Sequence, residues 1–177
     1  KLAERLDYDY FHRDMIQKIA ESAHISAQVI DSLEKERLSG VEDFISSLVM
    51  EHYMHPDTYV VHLMRVVNTI AEHGRAIIVG RGANFILPAE NRFAVRIMAP
   101  LEVRIRNVAE AYDCTLEEAK RRVMHRQSRR TAFIRQTFHH DINDPLAYDL
   151  VINTERISDE CAVQAIIAAM TTCRQAA

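Results

Sequence analysis

Gly80-Arg81-Gly82-Ala83-Asn84 directly follows the apolar run Ala76-Ile77-Ile78-Val79. Glycine on both sides of Arg81 lets the chain turn sharply and lets a ligand come close to the backbone. An arginine there can fork two hydrogen bonds onto a carboxylate or a phosphate; the plain alternative is a surface arginine in a tight turn. A second concentration of charge comprises Lys120, Arg121, Arg122, Arg126, Arg129, Arg130 and Arg135, with no acid between Glu118 and Asp141. Arg122, Arg126, Arg129 and Arg130 share a helical face by i+3 and i+4 spacing. Cations gathered without partners repel one another, so the run points to a polyanion such as a phosphate chain. A solvated basic helix and a nucleic-acid surface are the alternatives. His139-His140-Asp141 collects metal-ligating residue types. Adjacent side chains diverge, however, and no further ligand follows at helical spacing, so a polar loop is the better reading and no metal site is expected.

These groups need a scaffold. At about 100–200 residues per domain, 177 residues suggest a single domain with a helical insertion. With 48% hydrophobic and 27% charged residues, disordered and low-complexity chains are excluded. No stretch approaches the ~20 apolar residues of a membrane span, and the polar start shows no secretory leader. Cys114, Cys161 and Cys173 are widely spaced with no Cys-x-x-Cys, as expected for isolated thiols in a reducing cytoplasm. A net charge of −3 weighs against a non-specific nucleic-acid binder. There are only four glycines, Gly40, Gly74, Gly80 and Gly82. That scarcity disfavours a β-sandwich. It also excludes two phosphate loops as written: no Gly-x-x-x-x-Gly-Lys-Ser/Thr occurs, and Phe85 stands where Gly-x-Gly-x-x-Gly needs its third glycine.

The periodicity predicts mostly helices before Gly74. Lys1 to Leu6 are helix formers with no capping residue before them and no initiator Met, so the start of that helix is expected outside the given sequence. Tyr8 to Phe11 reads as a short edge strand. Met15, Ile16, Ile19, Ala20 and Ala23 form one helical stripe. Ser26 can cap a second helix burying Ile30 and Leu33, with Gly40 at its far side, and Val41, Phe44, Ile45, Leu48 and Val49 form a third stripe. Asp57 is expected to cap a fourth helix with Val60, Leu63, Met64, Val67, Ile70 and Ala71 inward. Ala76–Val79, Phe93–Met98 and Tyr148–Asn153 are apolar runs expected to be strands buried on both faces of a parallel sheet. Pro100 should open a helix to about Tyr112. Thr115 with Glu118 makes a capping box for a helix to about Thr137. Asp144-Pro145 marks a turn, and Ser158 caps a last helix burying Val163, Ile166, Ile167 and Met170. Alternating strands and helices imply an α/β fold, with ligands at the carboxyl ends of the strands, in the loops beginning at Gly80, Ala99 and Asn153.

Four blocks then point to a family: Ile77 to Leu87, Val95 to Ile105, Arg130-Thr131-Ala132-Phe133-Ile134-Arg135, and Tyr148 to Thr154. In this order they resemble the bacterial cytidylate kinase-like family, which is similar to nucleoside monophosphate kinases of the P-loop NTPase fold. The resemblance implies a three-layer parallel sheet flanked by helices, an enlarged helical acceptor-side region over 13–74 and an arginine-rich lid over 115–140. It implies ATP-dependent phosphoryl transfer to a nucleoside monophosphate or similar small acceptor, with ATP and Mg²⁺ as cofactors and the metal held mainly through the nucleotide phosphates. Arg81, Asn84, Arg104 and His12 would face the acceptor. Arg126, Arg130 and Arg135 would be the catalytic lid arginines, and Asn153-Thr154 would flank the ATP base. A homodimer would fit the long apolar stripes. The chain departs from the family pattern in three places. The Walker A loop that the family carries before the first helix is not in the sequence. His12 and Gln127 stand where the family usually has Asp. Gly82 follows Arg81 where true cytidylate kinases have Asp, so cytidine specificity is not implied. The other class these departures favour is a non-catalytic nucleotide-binding or regulatory module on the same fold.

Overall fold

The computed structural model describes residues 1–16 and 56–174; the helices expected over residues 17–55 lie outside the described residues. The chain is mixed α/β and divides into two compact units, Lys1–Arg92 and Phe93–Ala177.

The first unit contains α1 (Leu2–Leu6), β1 (Asp9–Phe11), α2 (Pro56–His73), β2 (Ala76–Ile78) and α3 (Ala83–Ile86). Residues 13–16 are helical. β1 and β2 are parallel, pairing Asp9 with Ala76, Tyr10 with Ile77 and Phe11 with Ile78. Two further bonds extend this short ladder: Asp9 N–H donates to the Arg75 carbonyl at 2.9 Å and Val79 N–H to the Phe11 carbonyl at 2.8 Å. Arg75 also bridges back to Asp7, reaching its carboxylate at 2.5 Å and its carbonyl at 2.9 Å. Phe11, Ile16, Leu63, Val66, Val67 and Ile70 form the core, none more than 2% exposed. The buried face of α2 is therefore 63, 66, 67 and 70, an i, i+3, i+4, i+7 pattern. Val66 takes the place expected of Met64, which is 36% exposed. Asp57 lies within α2 and not at its cap.

The second unit contains β3 (Val95–Met98), α4 (Leu101–Ala111), α5 (Leu116–Phe138), β4 (Leu150–Asn153) and α6 (Asp159–Arg174). β3 and β4 are parallel, from Val95 opposite Leu150 to Met98 opposite Asn153. Asp149 clamps the ladder's start: its carboxylate accepts from Ala94 N–H at 2.5 Å while its own N–H donates to the Ala94 carbonyl at 2.8 Å. The Tyr148 hydroxyl accepts from Arg96 at 3.0 Å and donates to the Ile142 carbonyl at 2.9 Å, tying the loop before β4 to β3. Ser158 caps α6, its hydroxyl accepting from Cys161 N–H at 3.3 Å, and Ala162, Val163 and Ile166 are buried.

The strands are not buried on both faces as expected. Val79 is 46% exposed, Ile97 51%, Met98 48% and Val151 41%. Among the described residues each strand has one hydrogen-bonded neighbour.

Thr115 caps α5 through a 3.2 Å bond from Glu118 N–H to its hydroxyl. The reciprocal half of the capping box is replaced, because the Glu118 carboxylate takes Arg122 at 2.5 Å. One orphan N–H thus depends on Thr115 alone. Thr115→Ala is expected to lower stability by about 1 kcal/mol, read as a fall in the urea midpoint with an unchanged slope.

Candidate anion-binding site

Parallel strands that end together put their following loops side by side. In the first unit β1 runs into His12-Arg13 and β2 into Val79-Gly80-Arg81-Gly82. Three consecutive residues there are left-handed: φ is 91° at Gly80, 52° at Arg81 and 71° at Gly82. Among the described residues four other non-glycine residues have positive φ, namely Asp7, Arg75, Asp113 and His139. Each of those lies within two residues of a helix C-terminus, where left-handed caps are ordinary. Arg81 alone follows a strand. An L-residue in that conformation costs about 1–2 kcal/mol, and such strain collects where a side chain must be aimed. Arg81 is half-buried and its Nε is out of contact with solvent. Gly82 then opens α3, on which Asn84 sits half-buried. His12 is exposed, and its Nδ1 accepts from Met15 N–H at 3.3 Å. That bond leaves the proton of the neutral ring on Nε2, so His12 offers a donor to a ligand where a carboxylate could offer none. Sequence reasoning missed Arg13. Its Cβ and Cγ lie 3.6 Å from where a Cβ on Gly80 would stand, and the signal available for it was the glycine itself.

In the second unit Arg104 rises from the start of α4. Its Nε donates to the Ala99 carbonyl at the end of β3, at 3.0 Å, and its Nη1 donates to Gln127 Oε1 on α5, at 2.8 Å. Gln127 thus orients an arginine without neutralising it. The seven basic residues of α5 divide by helical phase. At about 100° per residue, Arg126 and Arg130 are about 40° apart, whereas Arg135 lies about 180° from Arg126. Arg122 and Arg126 both stack on the Tyr112 ring, at 5.2 and 5.4 Å from its centroid, and Arg126 also reaches the Tyr112 hydroxyl at 3.1 Å. The hydrogen bond to Glu118 holds the Arg122 pKa above its ordinary value. Arg130 is exposed on the same side as Arg126. Arg135 instead lines a shallow groove of about 740 Å³ with Gln127, Ser128 and Thr131. Gln127, which holds Arg104, therefore shares a face with Arg135, and the three arginines expected to act together do not share one face.

Asn153 ends β4 and Thr154 follows it. Thr154 N–H and hydroxyl both donate to the Met98 carbonyl, at 2.8 and 3.3 Å, and Asn153 Oδ1 accepts from Glu155 N–H at 3.0 Å. These side chains shape the loop itself. His139 is the left-handed C-cap of α5 and Asp141 accepts from Asn143 N–H at 2.8 Å.

The model of the cytidylate kinase-like family matches residues 1–156. The chain belongs to this family. A cytidylate kinase of Methanopyrus kandleri is 30% identical over 159 residues, covering 82% of this chain and 80% of that one. A cytidylate kinase of Pyrococcus horikoshii is 31% identical over 90 residues, covering 51% of this chain and 46% of that one. A crystal structure of an uncharacterized protein from Eubacterium ventriosum has the same fold, with a TM-score of 0.69 at 15% identity over 97% of this chain and 88% of that chain. The family match takes in the loops at Gly80, Ala99 and Asn153 and the whole basic helix, and stops before α6. No helix among the described residues is long and apolar enough to cross a membrane.

Proposed function

We propose that this member of the cytidylate kinase-like family transfers a phosphoryl group from ATP to a nucleoside monophosphate or a similar small acceptor. The observation that supports it best is Arg81, held left-handed at the carboxyl end of a parallel strand between two glycines. In this reading Arg81, with Asn84 and the His12 Nε2–H, holds the acceptor phosphate, and Arg104 adds an oriented cation whose charge Gln127 leaves intact. Arg126 and Arg130, which share a face of α5, serve a lid over 115–140 and neutralise the moving phosphoryl group, whereas Arg135 lies on another face of the same lid helix. Asn153-Thr154 shape the loop beside the ATP base. The three-layer P-loop arrangement, the acceptor-side role of 13–74, a cytoplasmic location and a homodimer belong to the same proposal.

Phosphoryl transfer asks little covalent chemistry of the protein; it asks for in-line positioning and neutralised charge. ATP with Mg²⁺ would supply the phosphoryl group and a divalent charge. The 177 residues contain no Walker A loop, and no three metal-ligating side chains gather among the described residues. Among the described residues the arginines are the groups that would meet the nucleotide phosphates, and the metal would ride on those phosphates.

ATP consumption by the full chain over a panel of nucleoside monophosphates tests the reading. Turnover is expected with at least one acceptor. Arg130→Ala should lower kcat by about 100-fold or more, as loss of one donor to developing charge does. No turnover with any acceptor overturns it. His12 and Gln127, in place of the family's usual carboxylates, favour the second reading, a nucleotide-binding module without catalysis. That reading predicts nucleotide-dependent thermal stabilisation with no phosphoryl transfer.

A further inference from the structure

We propose that Arg13 is a second phosphate-binding cation of the first unit, laid against the Gly80–Gly82 turn so that it and Arg81 grip one phosphate monoester. The proposal rests on the acceptor reading above and names a residue that reading does not use. β1 and β2 end in register at Phe11 and Ile78, so the first residues beyond each strand are neighbours although 67 positions separate Arg13 from Gly80. The aliphatic stem of Arg13 lies on Gly80: a Cβ there would stand 3.6 Å from Arg13 Cβ, 3.6 Å from Cγ and 4.0 Å from Cδ. Only glycine takes φ 91° at this point without strain. The same glycine therefore makes the turn that carries Arg81 and stands beside the Arg13 stem, which lies where a side chain at position 80 would make ordinary contact.

The Arg13 side chain is 61% exposed, and its recorded ion pair uses Nε, 3.3 Å from Asp14 Oδ1. Asp14 is 69% exposed, and a pair this open contributes little and exchanges readily. Among the described residues no other group takes the Arg13 guanidinium, so its terminal Nη nitrogens can turn to a ligand. A phosphate dianion bound at this turn has oxygen enough to accept a fork from each arginine. The ligand class is a phosphate monoester. The nucleoside alone gains nothing from Arg13.

The test is calorimetric titration of the full chain with CMP, UMP and AMP, each against its own nucleoside. Arg13→Ala and Arg13→Gln, the second of which keeps a stem over Gly80, should weaken the monophosphate that binds best by about tenfold or more and leave its nucleoside unchanged. Arg13→Lys should recover part of the loss, and Asp14→Asn should bind as well as wild type or better. If both neutral Arg13 variants bind every monophosphate as wild type does while Arg81→Ala does not, Arg13 has no such role and the acceptor reading stands. If the wild-type chain binds none of the three monophosphates, the acceptor reading falls and this proposal with it.

Discussion

Arg81→Ala and Arg81→Gly are each expected to weaken nucleoside monophosphate binding by about 100-fold, and Arg81→Gly to do so with the fold left about as stable as before. The two halves of that result have separate causes. A fork of charged hydrogen bonds to phosphate contributes about 1.5–3 kcal/mol per bond, and each 1.4 kcal/mol is tenfold in affinity. Arg81→Lys keeps the charge and loses the fork, so it should fall between wild type and alanine. Stability is set differently. Arg81 sits at φ 52°, where a side chain with a Cβ costs about 1–2 kcal/mol. Arg81→Gly removes that strain, adds the entropy of a freer unfolded chain, about 0.5–1 kcal/mol, and gives up what the half-buried side chain touches. Its urea midpoint should stay near that of wild type while its nucleotide affinity collapses. A variant that keeps its stability and loses ligand marks a residue kept for binding. If Arg81→Gly instead unfolds as easily as a core variant, the arginine is a structural member of the turn.

What the sequence made legible follows the range of the interactions involved. Thr115, Ser158 and Asp144 act within three residues of themselves, and their capping bonds were readable as local patterns. The strands at Ala76 and Leu150 stood out as apolar runs because β-branched residues cluster there. The partner of β1 was not readable, since pairing Asp9 with Ala76 is a contact across the whole helical region. Nor was the rotation of α2. Met64 and Val66 both fit a helical stripe, and only what packs against the helix decides between them. The candidate site divides in the same way. Arg81 was legible because glycines flank it, whereas Arg13 was not, because its neighbour Gly80 is close in space alone. Gln127 read as a lost acid. Its partner Arg104, 23 positions earlier, shows it as an acceptor that steers a cation and leaves its charge in place. The basic run read as one polyanion surface. Tyr112 breaks that surface up by taking Arg122 and Arg126 onto one ring, while Arg135 turns to another face.

Phe11→Ala should cause the largest loss of stability in the first unit, about 3–5 kcal/mol, the range for truncating a buried phenylalanine. Phe11 is 2% exposed, it ends β1, and its carbonyl accepts from Val79 N–H at 2.8 Å. The side chain thus anchors the strand whose next two residues are His12 and Arg13. Against a typical total of about 5–15 kcal/mol, such a loss leaves the unit marginal. Phe11→Leu keeps most of the volume and should cost about 1.5 kcal/mol or less. Urea unfolding of both variants measures the difference. Equal midpoints for Phe11→Ala and wild type would show that β1 is not held by this side chain. Nucleotide should then discriminate between anchor and ligand groups. A monophosphate at about 100 times its Kd adds about 2.7 kcal/mol to the folded state. Phe11→Leu should receive nearly all of that, because its strand ends are still in register. Arg81→Gly, though stable, should receive almost none at the same concentration. The contrast separates the residue that places the loops from the residue that meets the phosphate, and it requires no assumption about turnover.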